Sequence, residues 1–404
     1  MPLQRAEFVP ERDSECFAAV PASAAVFVLR GSGEREEPYV GKTANLRRRL
    51  QRLLGAADGQ SRKLNLRDRV RRVEWAPTGS DFEASFQLYR LLRTEFPDTY
   101  GKRLRLRFAP LVKLILDNPY PRVAVTTRIG SLKSKAHYFG PFLTRPAAEK
   151  FANDALDLFK MRRCTFDLNP DPAYPGCIYS EMKMCLAPCF KGCTDEEYAG
   201  EVARVQQFFE SGGQSLVREI ERQRDEASAH LDFEGAAGLH TRLEKVKAAV
   251  TQLPVIVRRL EELNGLMVQP SAQEDSVALF KIVAGRVCDP VNLNIGKQTE
   301  AAHLASRPLS MEARIAQALA GVEPSKLRSS LEWMEHLALL KRWYYRTIKT
   351  GELFLTEENG ELPMRRVVRG VSRVFRGEKP AGDLSETAGE YWRFRAGEAG
   401  VQKP

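Results

Sequence analysis

The sequence has no long apolar stretch. None of the runs in its 404 residues approaches the roughly 18 consecutive apolar residues that span a bilayer. The first residues, from Met1 to Phe8, also lack the apolar core of a secretory signal. We therefore expect a protein that has no membrane partner and is located in the cytoplasm.

Cysteine is scarce for a protein stabilised by disulfides. Seven cysteines in the whole chain do not suggest the dense disulfide framework of small secreted domains. Five of the seven fall between Cys164 and Cys193, and clustering of this kind indicates a metal site. Cys16 and Cys288 stand alone, and we expect both to be core residues.

Acidic residues are scarce in one stretch that basic residues dominate. The chain carries 62 Lys and Arg against 52 Asp and Glu, a formal net charge of +10. Between Lys42 and Arg72, eleven basic residues are opposed only by Asp58 and Asp68, which leaves +9. Such a block favours a polyanion, most commonly nucleic acid. A solvated helix face is the alternative.

The length of the chain predicts several domains. Two to four are expected at roughly 100–200 residues per domain, and a hydrophobic fraction of 43% is enough for packed cores. Apolar patterns with both strand and helix spacing predict a multidomain α+β protein. Its predicted parts are a small α/β domain at 17–105, a cysteine-cluster domain at 106–200, a helical hairpin at 206–254, and a mixed α/β C-terminal region at 255–404 with a basic tail.

Strand signals in the first part surround a turn rich in glycine. Residues 25–29 and 38–40 predict the two strands of a hairpin, with Gly41 ending the second, and residues 70–75 predict a third strand. Thr43 or Asn45 is expected to cap a basic helix. Further predicted elements are helices starting at Ser80 or Asp81 and at 147 and 331, and strands at 109–116, 122–125 and 277–283.

Apolar residues between 216 and 250 fall into two helical sets. The second set begins after Asp232 and recurs at alternating spacings of three and four residues, which is a heptad seam. Asp232 lies between the two sets, where a helix cap is expected. The pattern therefore predicts an antiparallel hairpin of two helices.

The clearest motif of the first part lies at 39–50. Tyr39-Val40-Gly41-Lys42 is followed by Asn45-Leu46 and by Arg49. This run resembles the GIY-YIG nuclease module at the start of the UvrC family, the excinucleases of bacterial nucleotide excision repair. The resemblance implies that Tyr39 lies near the attacking water and that Arg49 stabilises the phosphate, with Lys42 as a third catalytic residue. It further implies that Arg47, Arg48 and Arg52 bind DNA.

The resemblance is weaker at the metal ligand. Cleavage of a phosphodiester needs a base, cationic groups for the phosphoryl oxygens and often a metal on the leaving oxygen. The position of the family's metal-binding glutamate holds Leu88, which cannot bind a cation, and neither Glu83 nor Glu95 falls in that register. Phe27 replaces the family's first tyrosine, and Tyr100 replaces an asparagine. We therefore expect a degenerate endonuclease site, with Mg2+ or Mn2+ bound only if it is active.

Two further segments resemble the same family in the same order. They are Tyr138-Phe139-Gly140-Pro141-Phe142 and Cys185-Leu186-Ala187-Pro188-Cys189. The resemblance implies an iron–sulfur cluster, and four cysteines at this spacing also suit zinc. Reduced structural thiols are the third possibility. The predicted ligands are Cys164, Cys177, Cys185 and Cys189.

The predicted hairpin resembles the UVR motif of that family. Phe233-Glu234 and Ala236-Ala237 carry the resemblance, which implies docking to the counterpart hairpin of UvrB, the damage-loading partner within the excinuclease. Because a lone pair of short helices cannot bury both faces, a partner hairpin would complete a small bundle. Packing onto the chain itself is the alternative. The predicted partner-binding residues are Phe233, Glu234, Ala237 and Leu239.

The resemblance ends near residue 255. Full-length members of the family continue with an RNase H-like nuclease and helix-hairpin-helix repeats, and neither pattern follows Leu253. The architecture is therefore closest to short relatives that lack the RNase H-like domain. Trp333 and Trp343 belong to an amphipathic helical pattern, for which we expect core packing, with base stacking as the alternative.

Together these motifs predict a nucleotide excision repair protein that binds double-stranded DNA and UvrB. Its family activity is endonucleolytic strand incision, at a site that is expected to be degenerate. A non-catalytic, DNA- and partner-binding modulator of the repair complex is the first alternative. An RNA-binding metal–sulfur protein is the second, although it does not explain the hairpin.

Overall fold

Helices and strands are distributed over the whole of the described chain. The computed structural model describes residues 3–33, 36–56, 64–131, 134–251, 253–296, 309–327 and 329–379. It is 42% helical and 18% strand with several domains, which confirms the predicted multidomain α+β class. Asp58, Arg62 and Lys63 of the basic block lie outside the described residues.

The first sheet is antiparallel and has four strands. They are β1 (Gln4–Glu7), β2 (Ala25–Arg30), β3 (Tyr39–Thr43) and β4 (Arg72–Pro77). Their order is β1-β4-β2-β3, so the sheet begins before residue 17, where the predicted domain starts. The prediction that Gly41 ends the second strand is wrong, because Gly41 pairs with Phe27 in the middle of the β2–β3 ladder.

Four helices accompany this sheet. They are α1 (Asp13–Ala19), α2 (Leu46–Leu54), α3 (Asp81–Glu95) and α4 (Tyr100–Leu104). The side chain of Asn45 accepts a hydrogen bond from the Arg48 amide, and that of Ser80 accepts one from the Glu83 amide. Both side chains satisfy amides that the first turn of a helix leaves unpaired, which confirms the predicted starts of α2 and α3.

The second sheet supports the cysteine-rich segment. Its strands are β5 (Leu111–Ile115), β6 (Arg122–Thr126), β7 (Ala136–Gly140) and β8 (Arg258–Arg259), in the order β6-β5-β7-β8. The helices of this region are α5 (Arg145–Leu156) and α6 (Ile178–Glu181). Because α5 packs on β5 and β6, the chain enters the cysteine segment from a fixed helix.

Three consecutive helices follow. They are α7 (Asp195–Glu210), α8 (Gln214–Ala229) and α9 (Phe233–Thr251). The predicted hairpin is α8 and α9, and its turn is stabilised by a hydrogen bond of 2.9 Å from the Gly235 amide to the carboxylate of Asp232. Leu216, Leu243 and Val246 at the base of the hairpin are buried. The base is therefore part of the protein core.

The C-terminal region forms a third, antiparallel sheet with helices. Its strands are β9 (Gly265–Pro270), β10 (Ser276–Val283), β11 (Arg286–Val287), β12 (Val291–Asn294) and β13 (Glu352–Leu355). Its helices are α10 (Met311–Leu319), α11 (Ser330–Tyr344) and α12 (Met364–Phe375). The prediction of a basic tail is wrong for residues 364–375, because buried Val367, Val371 and Val374 hold this segment on the sheet as a helix.

One apolar core runs through much of the described chain. Phe82 of α3, Phe280 of β10 and Trp343 of α11 are members of the same buried cluster as the base of the hairpin. Trp333 and Trp343 are both buried, which confirms core packing. Among the described residues, no helix combines the length and the apolar character needed to cross a membrane.

Candidate nucleic-acid, metal and partner sites

Tyr39 and Arg49 are brought together at the surface of the first sheet. A guanidinium Nη2 of Arg49 donates a hydrogen bond of 2.8 Å to the Tyr39 hydroxyl. The contact forms because β3 and the first turns of α2 are joined by only a short capped loop. The Arg49 Nε is buried and has no hydrogen-bond partner among the described residues. A phosphate oxygen near this pair would meet the positive charge of the guanidinium and the hydroxyl that it binds.

Phe27 explains why the strand contains a glycine at position 41. A Cβ at Gly41 would lie 3.1 Å from the Cζ of Phe27, closer than side-chain atoms normally approach. The Phe27 ring is fully buried, and its centroid lies 6.1 Å from that of Tyr39. The residue that replaces the family's first tyrosine is therefore a packing residue without a polar atom.

Lys42 lies on the other face of the sheet from Tyr39. Gly41 is opposite Phe27, and Lys42 is opposite Val26, and neighbouring residues of a strand alternate between faces. Tyr39 packs with Phe27 in the cluster that covers the α2 side, whereas Lys42 faces α3. The structure thus brings together two of the three predicted catalytic residues and separates the third.

On the α3 side, Lys42 is held by a polar group that sequence reasoning missed. Its Nζ lies 2.6 Å from the carboxylate of Asp81 and 2.8 Å from the hydroxyl of Ser85. Arg346 also pairs with Asp81. Burial raises the pKa of Asp81, but hydrogen bonds and charges from Lys42 and Arg346 outweigh it, so the pKa is below its usual value. No local pattern could reveal Arg346, which lies 265 residues away.

Leu88 is in apolar surroundings. It packs with Leu91 against a small cluster of Val26, Ala76 and Ala84 between the sheet and α3. Mg2+ is bound in proteins by oxygen ligands such as carboxylates, and the side chain at this position has no oxygen atom. Leu88 therefore serves as a packing residue in this structure.

The two carboxylates of α3 that flank this position have structural partners. Glu83 is buried and accepts a hydrogen bond of 2.8 Å from the Gly79 amide at the start of the helix. Burial raises its pKa, and the Gly79 amide partly offsets the effect. Glu95 binds the guanidinium of Arg30 through two hydrogen bonds of 2.9 and 2.6 Å. Neither carboxylate replaces the missing ligand without breaking these contacts.

The three predicted DNA-binding arginines differ in their surroundings. Arg48 and Arg52 are exposed and lie one turn apart on α2. Arg47 instead donates hydrogen bonds of 3.1 and 3.4 Å to the carbonyls of Val20 and Ala18 at the end of α1. Because the last carbonyls of a helix lack partners within it, Arg47 joins α1 to α2, and only the other two present free surface charge.

The four predicted cysteine ligands lie in one half-buried region. Burial raises the pKa of the Cys185 thiol to about 11, the Ala187 amide lowers it, and charges on Cys164, Cys177 and Cys189 raise it further. These sulfurs are therefore close enough to influence one another. All four are free thiols of intermediate exposure.

Hydrogen-bond donors point at several of these sulfurs. The Ala187 amide lies 3.3 Å from the Cys185 Sγ, and a guanidinium nitrogen of buried Arg162 lies 3.2 Å from the Cys164 Sγ. Donors of this kind stabilise metal-bound thiolates, so the donor set suits an iron–sulfur cluster or zinc. Nonetheless, in the part of the chain that the structure describes, no three Cys, His, Asp or Glu residues come close enough to hold a metal ion. The cofactor stays a prediction.

The tip of the hairpin exposes apolar side chains. Leu231 is 73% exposed and Phe233 is 68% exposed, and Glu234 and Ala237 beside them are also accessible. Leu231 has a φ of +58°, which is unfavourable for a branched side chain. Leu239, the fourth predicted partner residue, packs against the protein's own core. Three of the four predicted residues are thus available to a partner.

Two family models match adjacent parts of this chain. Residues 110–208 match the UvrC/Cho excinuclease middle domain, and residues 214–249 match the UvrB/uvrC motif. The first range contains the second sheet's main strands and the cysteine segment, and the second contains the α8–α9 hairpin. These two regions are therefore similar to the corresponding parts of UvrC-type proteins.

Curated relatives agree with the family models. UvrABC system protein C of Methanothermobacter thermautotrophicus is 28% identical over 230 residues, 56% of this chain and 38% of that protein. The protein of the same name from Pseudomonas putida is 29% identical over 220 residues, 54% of this chain and 36% of that protein. The one from Chlamydia pneumoniae is 26% identical over 275 residues, 66% of this chain and 44% of that protein.

These matches confirm the resemblance to the UvrC family. The chain spans about two fifths of the length of the curated relatives it matches. No solved structure matches the chain.

Proposed function

We propose that this chain is a UvrC-type protein of nucleotide excision repair that holds DNA and UvrB but does not cut DNA. The observation that carries the proposal is the composition of the GIY-YIG-type site. Tyr39 and Arg49 are paired and able to bind a phosphate, whereas Leu88 packs among apolar residues at the position of the metal ligand. This arrangement favours the non-catalytic alternative over strand incision.

The chemistry available at this site supports binding rather than hydrolysis. The guanidinium of Arg49 would neutralise a phosphoryl oxygen, and the Tyr39 hydroxyl that it binds would orient the phosphate. A family-type reaction would also need a divalent cation to stabilise the leaving oxygen. Leucine supplies no ligand for that cation, and Glu83 and Glu95 are bound elsewhere.

A nicking assay tests the loss of incision. Purified protein, lesion-containing duplex and UvrB are incubated with Mg2+ or Mn2+, and we expect the duplex to remain uncut. Tyr39→Phe and Arg49→Ala variants serve as controls for contaminating nucleases. Metal-dependent nicking that both substitutions abolish would show that the site is active and overturn the proposal.

The exposed tip of the hairpin supports binding to UvrB. Leu231 and Phe233 leave apolar area in water, and burying such area in a second hairpin would be favourable. The match of residues 214–249 to the UvrB/uvrC motif supports the same partner. Because the base of the hairpin is fixed in the core, the tip is presented without a large loss of conformational entropy on binding.

For the cysteines we propose an iron–sulfur cluster, with zinc as the alternative, on Cys164, Cys177, Cys185 and Cys189. The electrostatic influence of the four thiols on one another and the hydrogen-bond donors beside two of them support it. Anaerobically purified protein should contain iron and acid-labile sulfide and absorb visible light. Cys185→Ser should lower the iron content, and Cys288→Ser, which changes an isolated buried thiol, should not. Iron-free protein that contains zinc would favour the alternative.

A further inference from the structure

Helix α12 lies beyond both family models and is strongly basic on one side. Arg365, Arg366, Arg369 and Arg373 fall within Met364–Phe375, a segment without Asp or Glu. Its apolar side chains are on the opposite side, where Val367 and Val371 are fully buried. The charge is therefore concentrated on the outer face of a helix.

In addition to its buried valines, two contacts fix this helix to the third sheet. Arg373 binds the carboxylate of buried Glu352 through hydrogen bonds of 2.8 and 2.7 Å. At Gly370 a Cβ would lie 2.2 Å from the ring of Phe354, so the helix backbone lies directly against β13. Arg373 is thus a structural residue, and the direction in which the outer face points is set by the core.

Three arginines form a stripe along that outer face. At about 100° per residue, Arg365, Arg369 and Arg376 fall within about 40° of one another around the helix axis. All three are exposed, and they extend over about 16 Å at 1.5 Å per residue. Glu378 pairs with Arg376 at 3.2 Å, but a pair this exposed contributes little and is readily exchanged.

We propose that this stripe, Arg365, Arg369 and Arg376, is a second DNA-binding surface that contacts the phosphates of a duplex. Duplex DNA carries a dense line of negative charge along its axis, and a straight row of guanidinium groups complements it. The identity of the polyanion as DNA rests on the function proposed above. The surface itself is separate from α2 and from the Tyr39–Arg49 pair.

An anionic membrane fits this face less well than a duplex does. A helix that binds a bilayer surface inserts its apolar side among the lipids, and the apolar side of α12 is already buried on the sheet. Base stacking is not favoured either, because the exposed ring of Phe375 lies about 80–120° around the helix axis from the three arginines. The stripe is therefore best suited to contact with the phosphates of a duplex, which does not depend on base sequence.

The test replaces the three arginines of the stripe by glutamine in the full chain. Salt dependence of binding to a fluorescent duplex is compared between Arg365→Gln/Arg369→Gln/Arg376→Gln and the wild type. A matched variant, Arg145→Gln/Lys150→Gln/Arg222→Gln, removes the same charge from exposed positions on α5 and α8. Melting temperature and circular dichroism verify that both variants are folded.

For the stripe variant we expect the slope of log K against log salt to fall by about 2 to 3 and affinity near 100 mM salt to fall at least about tenfold. The matched variant should retain most of the wild-type slope. An unchanged slope in the stripe variant, with a wild type that binds DNA, would overturn the inference and leave the proposed function intact. If the wild type does not bind duplex at all, the proposed function is overturned, and so is the inference that rests on it.

Vesicles containing phosphatidylglycerol and phosphatidylcholine test whether the stripe binds an anionic membrane rather than duplex DNA. We expect no cosedimentation of the wild type with these vesicles at a salt concentration where duplex binding persists. Cosedimentation that the stripe variant loses, together with unchanged duplex binding, would assign the stripe to a membrane and overturn the inference.

Discussion

Neighbouring arginines of α2 have different roles, although the sequence presents them as one basic run. Arg47 donates to carbonyls at the end of α1, whereas Arg48 and Arg52 are exposed. We expect Arg48→Ala/Arg52→Ala to weaken duplex binding and reduce the salt slope by about 2, with an unchanged melting temperature. Fluorescence anisotropy at several salt concentrations measures both quantities.

Arg47→Ala should mainly lower stability and should affect DNA binding less. It leaves carbonyl groups at the end of α1 without their side-chain donor, which costs about 1 kcal/mol of stability. We expect a lower midpoint of urea unfolding and a salt slope reduced by less than in the double variant. A double variant that loses stability while keeping its slope would contradict the assignment of Arg48 and Arg52 to DNA contact.

His336 gives the protein a specific dependence on pH. Burial lowers its pKa to about 4, and its Nδ1 accepts a hydrogen bond of 3.0 Å from the Val287 amide. Because the folded state disfavours the protonated ring, its contribution to stability is complete above the unfolded pKa of about 6.5 and is lost as the pH falls toward 4. From pH 7.5 to 5 this amounts to about 2 kcal/mol.

The pH effect is measured as a difference between two proteins. Urea unfolding of the wild type and of His336→Gln at both pH values gives the change in the free energy of unfolding. Glu332 and Arg93, whose charges act on this ring, are present in both proteins, so the difference between the two proteins isolates His336. Equal pH dependence of wild type and variant would show that His336 is not the titrating group.

At the scale of elements, the hairpin combines a buried base with an exposed tip. Leu231→Ser/Phe233→Ser should reduce binding to UvrB at least about tenfold, because exposed apolar anchors often dominate an interface, and should leave the melting temperature unchanged. Leu243→Ala, at the buried base, should cost about 2 to 5 kcal/mol of stability. Calorimetric titration and thermal unfolding measure the two effects, and loss of stability in the tip variant would argue that the tip packs on its own chain.

Local signals of the sequence were sufficient for many elements. Asn45 and Ser80 cap helices where a cap was expected, and the apolar pattern around Asp232 predicts the α8–α9 hairpin. The prediction that Gly41 ends a strand was wrong because a glycine within a strand can also make room for a neighbouring ring, here that of Phe27. The many arginines of α12 suggested a basic tail. Its valines indicate a packed helix only once it is known that they lie on the third sheet.

The candidate site was less predictable than the elements that carry it. The motif correctly suggests that Tyr39 and Arg49 share a location, since the two are joined by a short capped loop. Lys42 belongs to the same motif but faces α3, and its partner Asp81 also binds Arg346 of the C-terminal region. Contacts over such a distance depend on tertiary packing and leave no signal in one sequence.

On the scale of the whole molecule, the C-terminal region and the first sheet's helix α3 share one core. Phe280 of β10 makes edge-on contacts with Phe82 and Phe86 of α3, with ring centroids 5.2 and 6.0 Å apart. Tyr89 of α3 also donates a hydrogen bond of 2.9 Å to Glu335 of α11. A substitution that destabilises the third sheet should therefore also destabilise α3.

Phe280→Ala tests this coupling. Removing a fully buried ring costs about 3 to 5 kcal/mol, and we expect hydrogen exchange to accelerate in α3 as well as in β10, because both lose the same contacts. Phe8→Ala is the matched control, since Phe8 is also buried but lies in a cluster that contains no residue of α3. If α3 retained its protection in Phe280→Ala while β10 lost it, the two regions would unfold independently, and the C-terminal region would not stabilise the first sheet and its helices.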